Sequence, residues 1–206
     1  MKLRSLMTLA AVSGSLALLT AASAATVGQP APQFAATDSH GNTVSLDSLR
    51  GRYVVLEWFN PTCPFVRKHY DSGNMQALQK AFGGNGVTWL AVKTMQPGSY
   101  GYVDPAQANA WLAERQAAPA ALLLDPDAKV ARLYAARVTP HMFVIDPQGQ
   151  LIYAGAIDDR RSTSPADVAG ATNYVKAALD EAMAGRPVTT ASTQAYGCTV
   201  RYPRAD

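Results

Sequence analysis

Apolar positions along this chain change period in a definite order. Tyr53, Val54, Val55 and Leu56, ending on Glu57, make a continuous apolar run of the kind a sheet buries on both faces, and residues 87–93, Val-Thr-Trp-Leu-Ala-Val-Lys, make a second. Between them Val66, Tyr70, Ala77, Leu78, Ala81 and Phe82 recur at helical spacing until Gly83, Gly84, Asn85 and Gly86 stop the pattern. Strand, a helix of about twenty residues, and strand form a βαβ unit with a right-handed crossover, which makes the sheet core partly parallel.

The flanking segments complete an α/β pattern. A proline-spaced approach over 27–34 leads to a short strand over 34–37, a turn at His40, Gly41 and Asn42, and a return through Thr43, Val44 and Ser45, which predicts a hairpin. Residues 46–49 form a single turn stopped by Gly51. After a polar loop over 94–103, Asp104 and Pro105 supply the N-cap and first position of a helix running to about Ala117, with Ala108, Trp111 and Leu112 on one side. Ala-Leu-Leu-Leu at 121–124 is a third strand and 128–134 a short helix. Residues 137–157 form a loop, a strand, a turn around Gly149 and a return strand, an antiparallel hairpin. Residues 158–171 are polar loop, and Val175, Ala178, Leu179 and Ala182 define a last helix over 174–183 with Gly185 at C′. From Arg186 onward there is no period.

The first residues belong to none of these elements. Lys2 and Arg4 precede an uncharged run that is short for a membrane span and closes on Ala22, Ser23 and Ala24, a small-x-small cleavage pattern. Residues 1–24 are therefore expected to be a secretory signal peptide, 25–185 one domain, and 186–206 a C-terminal tail carrying Cys198. The expected location is the periplasm, with no stable membrane insertion after cleavage. Removing the leader leaves 182 residues with 16 basic against 15 acidic side chains, so most of the chain's net charge of +3 is a targeting feature. No Lys/Arg cluster is interleaved with aromatics, which argues against a nucleic-acid partner.

Candidate chemistry centres on Cys63, where the first core strand hands over to the helix. Pro64 occupies the first-turn position that proline tolerates, and the helix N-terminus favours thiolate over thiol, in settings that lower a cysteine from about 8.5 into the range of about 3.5–7.5. The alternative is a buried, inert thiol. Only one other cysteine exists, Cys198, and an exported protein meets a disulfide-permissive compartment. The twelve residues 186–197 extend roughly 40 Å, against a radius of gyration of about 16 Å for a domain of this size, so reach is no obstacle to a bridge. Glu57 inside an apolar strand is costly unless paired or protonated, and Lys93 is one candidate partner.

The motif Asn60-x-x-Cys63-Pro-Phe-Val-x-Lys-His69, with Thr139-Pro-x-x-Phe-Val-Ile-Asp146, Gly155-x-Ile-Asp-Asp159 and Gly197-Cys-Thr-Val-Arg-Tyr202, resembles the peroxiredoxin-like, thioredoxin-like proteins of the redoxin (AhpC/TSA) superfamily. The resemblance covers nearly all of the chain after the leader. It implies an α/β thioredoxin-like fold, a central mixed sheet flanked by helices, with an N-terminal hairpin extension and a C-terminal tail. It also implies a cis Pro140 packed against Cys63, a Thr139 backbone free to pair with an extended substrate, and Glu57 as an acid beneath the cysteine that assists proton transfer. His141, beside that proline, is a candidate proton carrier, with a plain edge residue as the alternative.

Two departures shape the expected activity. Thioredoxins carry a second cysteine one helical turn after the first, where this chain has Val66. Peroxiredoxins place Thr three residues before their cysteine, where this chain has Asn60, and an Arg where this chain has Pro140, leaving Arg67 or Arg137 to supply charge. The expected activity is thus thiol-disulfide exchange, with a thiol peroxidase as the alternative: Cys63 attacks a protein disulfide or a peroxide, Cys198 resolves the adduct, and a redox protein donates electrons. A static Cys63 to Cys198 staple, contributing on the order of 5 kcal/mol, is the competing reading. No organic cofactor is implied. Copper on Cys63 with His69 or His141 is a minor alternative, because soft-metal sites want more than one thiolate.

Overall fold

The computed structural model describes residues 24–99 and 101–203; the leader predicted over 1–24 lies, except for Ala24, outside the described residues. Strands β1 (Ala35–Asp38) and β2 (Thr43–Ser45) form the predicted hairpin, and β3 (Tyr53–Trp58) is the first core strand. Cys63 caps α1 (Pro64–Asp71), which is followed by α2 (Asn74–Gly83) and the second core strand β4 (Val87–Lys93). The single helix expected between these strands is two. Gly73, at φ +76°, turns the chain after α1 and serves as the N-cap of α2, a conformation glycine adopts without a Cβ penalty. Helix α3 (Pro105–Glu114) starts on a capping box between Asp104 and Gln107.

Next come β5 (Ala121–Leu124), α4 (Lys129–Tyr134), a two-residue strand β6 (Val138–Thr139), the hairpin β7 (His141–Ile145) and β8 (Leu151–Gly155), and α5 (Tyr174–Met183). A seven-stranded mixed sheet runs in the order β2-β1-β5-β4-β3-β7-β8, with β3 parallel to β4, β4 parallel to β5, and the remaining pairs antiparallel. This is the α/β, thioredoxin-like arrangement with an N-terminal hairpin extension. No helix among the described residues is long and apolar enough to cross a membrane.

Alternation along β3 sets the two cores. Val55 and the following Phe59 pack with Val66, Tyr70, Trp89 and α5, whereas Val54, Leu56 and Trp58 face the opposite side with Tyr134, Phe143 and Ile145. On that second side the rings of Trp58, Tyr134 and Phe143 meet at centroid distances of 5.2–5.8 Å.

The aperiodic tail is docked at several points and contains a strand, β9 (Cys198–Thr199), antiparallel to β6, in register Thr139 with Cys198 and Val138 with Thr199. Periodicity missed this pairing because two residues carry no period. One of its attachments is a buried polar cluster. Lys68, fully buried on α1, places its ammonium 2.9 Å from Asp158, 2.6 Å from the Arg160 carbonyl and 3.2 Å from the Tyr196 hydroxyl, which itself donates to Asp158. The Tyr196 ring packs edge-on to Phe65. Removing one member of a buried pair strands the other charge away from water. Lys68→Ala is therefore expected to lower unfolding free energy by about 3–5 kcal/mol in urea titrations, and a Lys68→Met/Asp158→Leu double variant to recover a large part of that loss.

Candidate active site

The chain leaves β3 at Trp58, and a short loop brings Cys63 to the head of α1. Asn60 shapes that loop: its side-chain oxygen accepts from the Thr62 amide (3.0 Å) and hydroxyl (2.9 Å), while its carbonyl accepts from the Cys63 amide (3.0 Å). Arg67 reaches back from α1 and donates to the Pro61 carbonyl at 3.0 Å. Asn60 and Arg67 thus brace the loop. Cys63 has extended N-cap geometry, and Pro64 at the first helical position leaves the Phe65 and Val66 amides as the first free donors of the helix.

Opposite this helix end, the Thr139–Pro140 peptide bond is cis, and the Thr139 carbonyl oxygen lies 3.0 Å from the Cys63 sulfur. The Thr139 backbone is not free: β9 occupies it. The pairing brings Cys198 onto Cys63, and the two form a disulfide with 5.9 Å between their Cα atoms. Gly197 makes the approach possible. Its φ is +148°, and a Cβ there would stand 2.0 Å from the Thr139 carbonyl oxygen. Cys63 is 1 % exposed, while Cys198 is only partly buried, and both border a cleft of about 290 Å³ with Asn60, Thr62, Met95 and Arg201.

Glu57 is fully buried on the same face of β3 as Phe59, and its carboxyl accepts from the Tyr70 hydroxyl and the Trp89 indole N–H, both at 2.9 Å. Burial raises its pKa to about 7, against the lowering effect of those two donors. Lys93 is not its partner: that ammonium stands 4.3 Å from the Tyr102 ring centroid. Sequence reasoning took Tyr70 only as part of an apolar face; a donor one helical turn along from Val66 and across from a buried acid was the available signal.

The histidines lie elsewhere. His141 borders a separate cleft of about 510 Å³ with Arg137, its Nδ1 accepts from the Arg137 amide at 3.4 Å, and burial foremost, with Arg137 adding, lowers its pKa to about 4. His69 is buried beside Asn74 and Asp158 and is likewise lowered to about 4, chiefly by burial, with Lys68 lowering it and Asp158 opposing. Both are neutral at pH 7. Among the described residues no group of three or more His, Cys, Asp or Glu side chains could hold a metal ion. The Lys68, Asp158 and Tyr196 cluster was not singled out from the sequence, although all three residues lie in or beside the motifs quoted above.

A mixed sheet with a cysteine at a helix N-terminus facing a cis-proline defines a thioredoxin-like protein of the redoxin type. The chain belongs to the AhpC/TSA family, whose profile matches residues 27–154. It is similar to the thiol-disulfide oxidoreductase ResA of Bacillus subtilis, 24% identical over 132 residues, 61% of this chain and 64% of ResA, so the match spans just under two thirds of that relative. Among solved structures it is similar to an uncharacterized conserved protein from Geobacillus kaustophilus (TM-score 0.77, 25% identity, 88% of this chain and 94% of that one). A hypothetical protein from Sinorhizobium meliloti (TM-score 0.74, 22%, 89% and 98%) and the thioredoxin domain of a thiol-disulfide oxidoreductase from Bacteroides vulgatus (0.51, 21%, 70% and 96%) share the fold.

Two measurements probe this geometry. A carboxyl whose pKa rises from 4.5 unfolded to about 7 folded stabilises the protein fully below pH 4.5, and the contribution is lost as pH rises through 7. Glu57→Gln should flatten the stability profile between pH 4.5 and 7.5 by about 3 kcal/mol relative to the parent, read from urea unfolding at each pH. Gly197→Ala should prevent β9 from seating, so that thiol alkylation of the air-oxidised variant finds most of Cys63 and Cys198 free.

Proposed function

We propose that this protein is an exported thiol-disulfide oxidoreductase whose working element is the Cys63 and Cys198 pair, cycling between disulfide and dithiol. The observation that carries the reading is the placement of that disulfide: one sulfur caps a helix beside a cis-proline, and the other arrives on a strand paired with Thr139. A thiolate released at the head of α1 is stabilised by the helix dipole and the free amides of Phe65 and Val66. Such a thiolate is a good leaving group when the bridge is reduced and a competent nucleophile when it re-forms.

Thr139 and Pro140 hold the edge on which Cys198 docks, and Glu57, titrating near neutral pH on the same side of the sheet, is the acid–base group. The substrate class is a protein disulfide or dithiol, and a redox protein completes the cycle. In this reading residues 1–24 are a cleaved leader that delivers the chain to the periplasm, 25–185 form the redoxin domain, and 186–206 form the tail carrying the second cysteine.

Mass spectrometry with thiol alkylation tests the cycle. Dithiothreitol should expose two alkylatable cysteines in the folded protein, and glutathione disulfide should close them again. Turnover of an insulin disulfide should vanish in both Cys63→Ser and Cys198→Ser. A bridge that no native-state thiol opens would make the pair a staple and end the proposal. Hydrogen peroxide consumption no faster than that of free cysteine is expected; fast consumption would replace disulfide exchange with peroxidase chemistry.

A further inference from the structure

The two sulfurs of the bridge are not equivalent. Cys63 is sealed under the tail at 1 % exposure and belongs to the core cluster with Phe59, Val66 and Tyr70, whereas Cys198 is only partly buried, although both border the 290 Å³ cleft. The cover over Cys63 does not depend on the disulfide. Before Cys198, the Thr193 hydroxyl accepts from the Ala156 amide at 2.9 Å, the Thr193 amide donates to the Ala154 carbonyl at 3.1 Å, and Tyr196 is tied to Asp158 and Lys68. After it, Val200 is buried and its amide donates to the Arg137 carbonyl at 2.9 Å, and the Tyr202 hydroxyl donates to the Ala136 carbonyl at 2.6 Å. These anchors on both sides are attachments that breaking the bridge does not itself remove. Thr139, whose backbone would otherwise offer an edge to an incoming strand, stays paired with Cys198.

Resting on the reading of Cys63 and Cys198 as an exchanging pair, we infer that Cys198 is the partner-facing sulfur and Cys63 the internal one, the reverse of the order expected from the sequence. In the reducing direction a partner thiolate attacks the Cys198 sulfur. The partner sulfur to Cys198 bond forms, the Cys198 to Cys63 bond breaks, and its electron pair leaves on Cys63 as thiolate at the head of α1. A second partner thiolate then attacks the partner's sulfur in the mixed disulfide, releasing the oxidised partner and Cys198 thiolate, so that two thiols are oxidised to one disulfide while this bridge is reduced. In the oxidising direction Cys198 attacks the substrate disulfide, expelling one substrate thiolate, and Cys63 resolves the adduct by attacking Cys198. Exchange rates depend on which sulfur can be reached and on how well the other leaves, and here both factors select the same order.

Glutathione disulfide, with glutathionylation followed by mass spectrometry, tests the order. Cys198 in the Cys63→Ser variant should react at least about tenfold faster than Cys63 in Cys198→Ser. Adding Tyr196→Ala and Tyr202→Ala to Cys198→Ser should free the tail and raise the Cys63 rate. Equal or faster reaction of Cys63 in Cys198→Ser overturns the inference while leaving the exchanging pair intact. The parent protein gives a readout independent of variant folding: brief exposure of its oxidised form to reduced glutathione, then acid quench and peptide mapping, should place glutathione on the Cys198 peptide. Glutathione on the Cys63 peptide overturns the order, and a parent bridge that neither glutathione nor dithiothreitol opens in the native state removes the functional reading and this inference together.

Discussion

The position of Cys198 depends on a charge that has no access to water. Lys68 sits on α1 little more than one turn from Cys63, is fully buried, and must therefore gather its own acceptors. It finds Asp158 after β8, the Arg160 carbonyl and the Tyr196 hydroxyl, drawing two distant parts of the chain onto one helix. A buried pair of this kind is a poor source of net stability, because desolvation offsets most of the attraction, but it tolerates only one register. Tyr196 is two residues before Cys198, so fixing its hydroxyl fixes where β9 begins.

That constraint answers the chemical deficit at the helix head. Val66 occupies the place where a local second thiol would stand, and it is buried in the core. The partner sulfur arrives instead from a sequence separation of 135 residues, on a strand whose approach requires glycine at 197 and an open carbonyl at Thr139. Bringing the second sulfur through a docked strand also closes the edge beside the cis-proline, so the same pairing that completes the disulfide covers Cys63. Glu57 lies in the same closed core, held by Tyr70 and Trp89, and burial raises its pKa to about 7.

How much of this was legible follows from which signals are local. The strands at 53–58, 87–93 and 121–124 and the helix at 174–183 announce themselves through continuous apolar runs or a 3.6-residue period, and their order defines the thioredoxin-like sheet. The break at Gly73 was hidden because α1 and α2 both bury residues that fit one helical period, and a lone glycine is tolerated within such a pattern. Charge alone makes Lys93 one candidate partner for Glu57, but in the fold neutral donors from α1 and β4 hold the carboxyl instead.

The fold class, the placement of Cys63 at a strand-to-helix junction, the lack of a local second thiol, and the existence of one distant cysteine within reach are all written in the order and identity of the residues. Those properties are set by short-range periodicity and by residue identity. It took the folded chain to show that the tail docks as a strand on Thr139, that Lys68, Asp158 and Tyr196 tie it to α1, and that Cys63 is buried while Cys198 is partly exposed. Burial and strand pairing between segments far apart in sequence leave no periodic trace along the chain, because each contributes only two or three residues to a contact whose other half lies elsewhere in sequence.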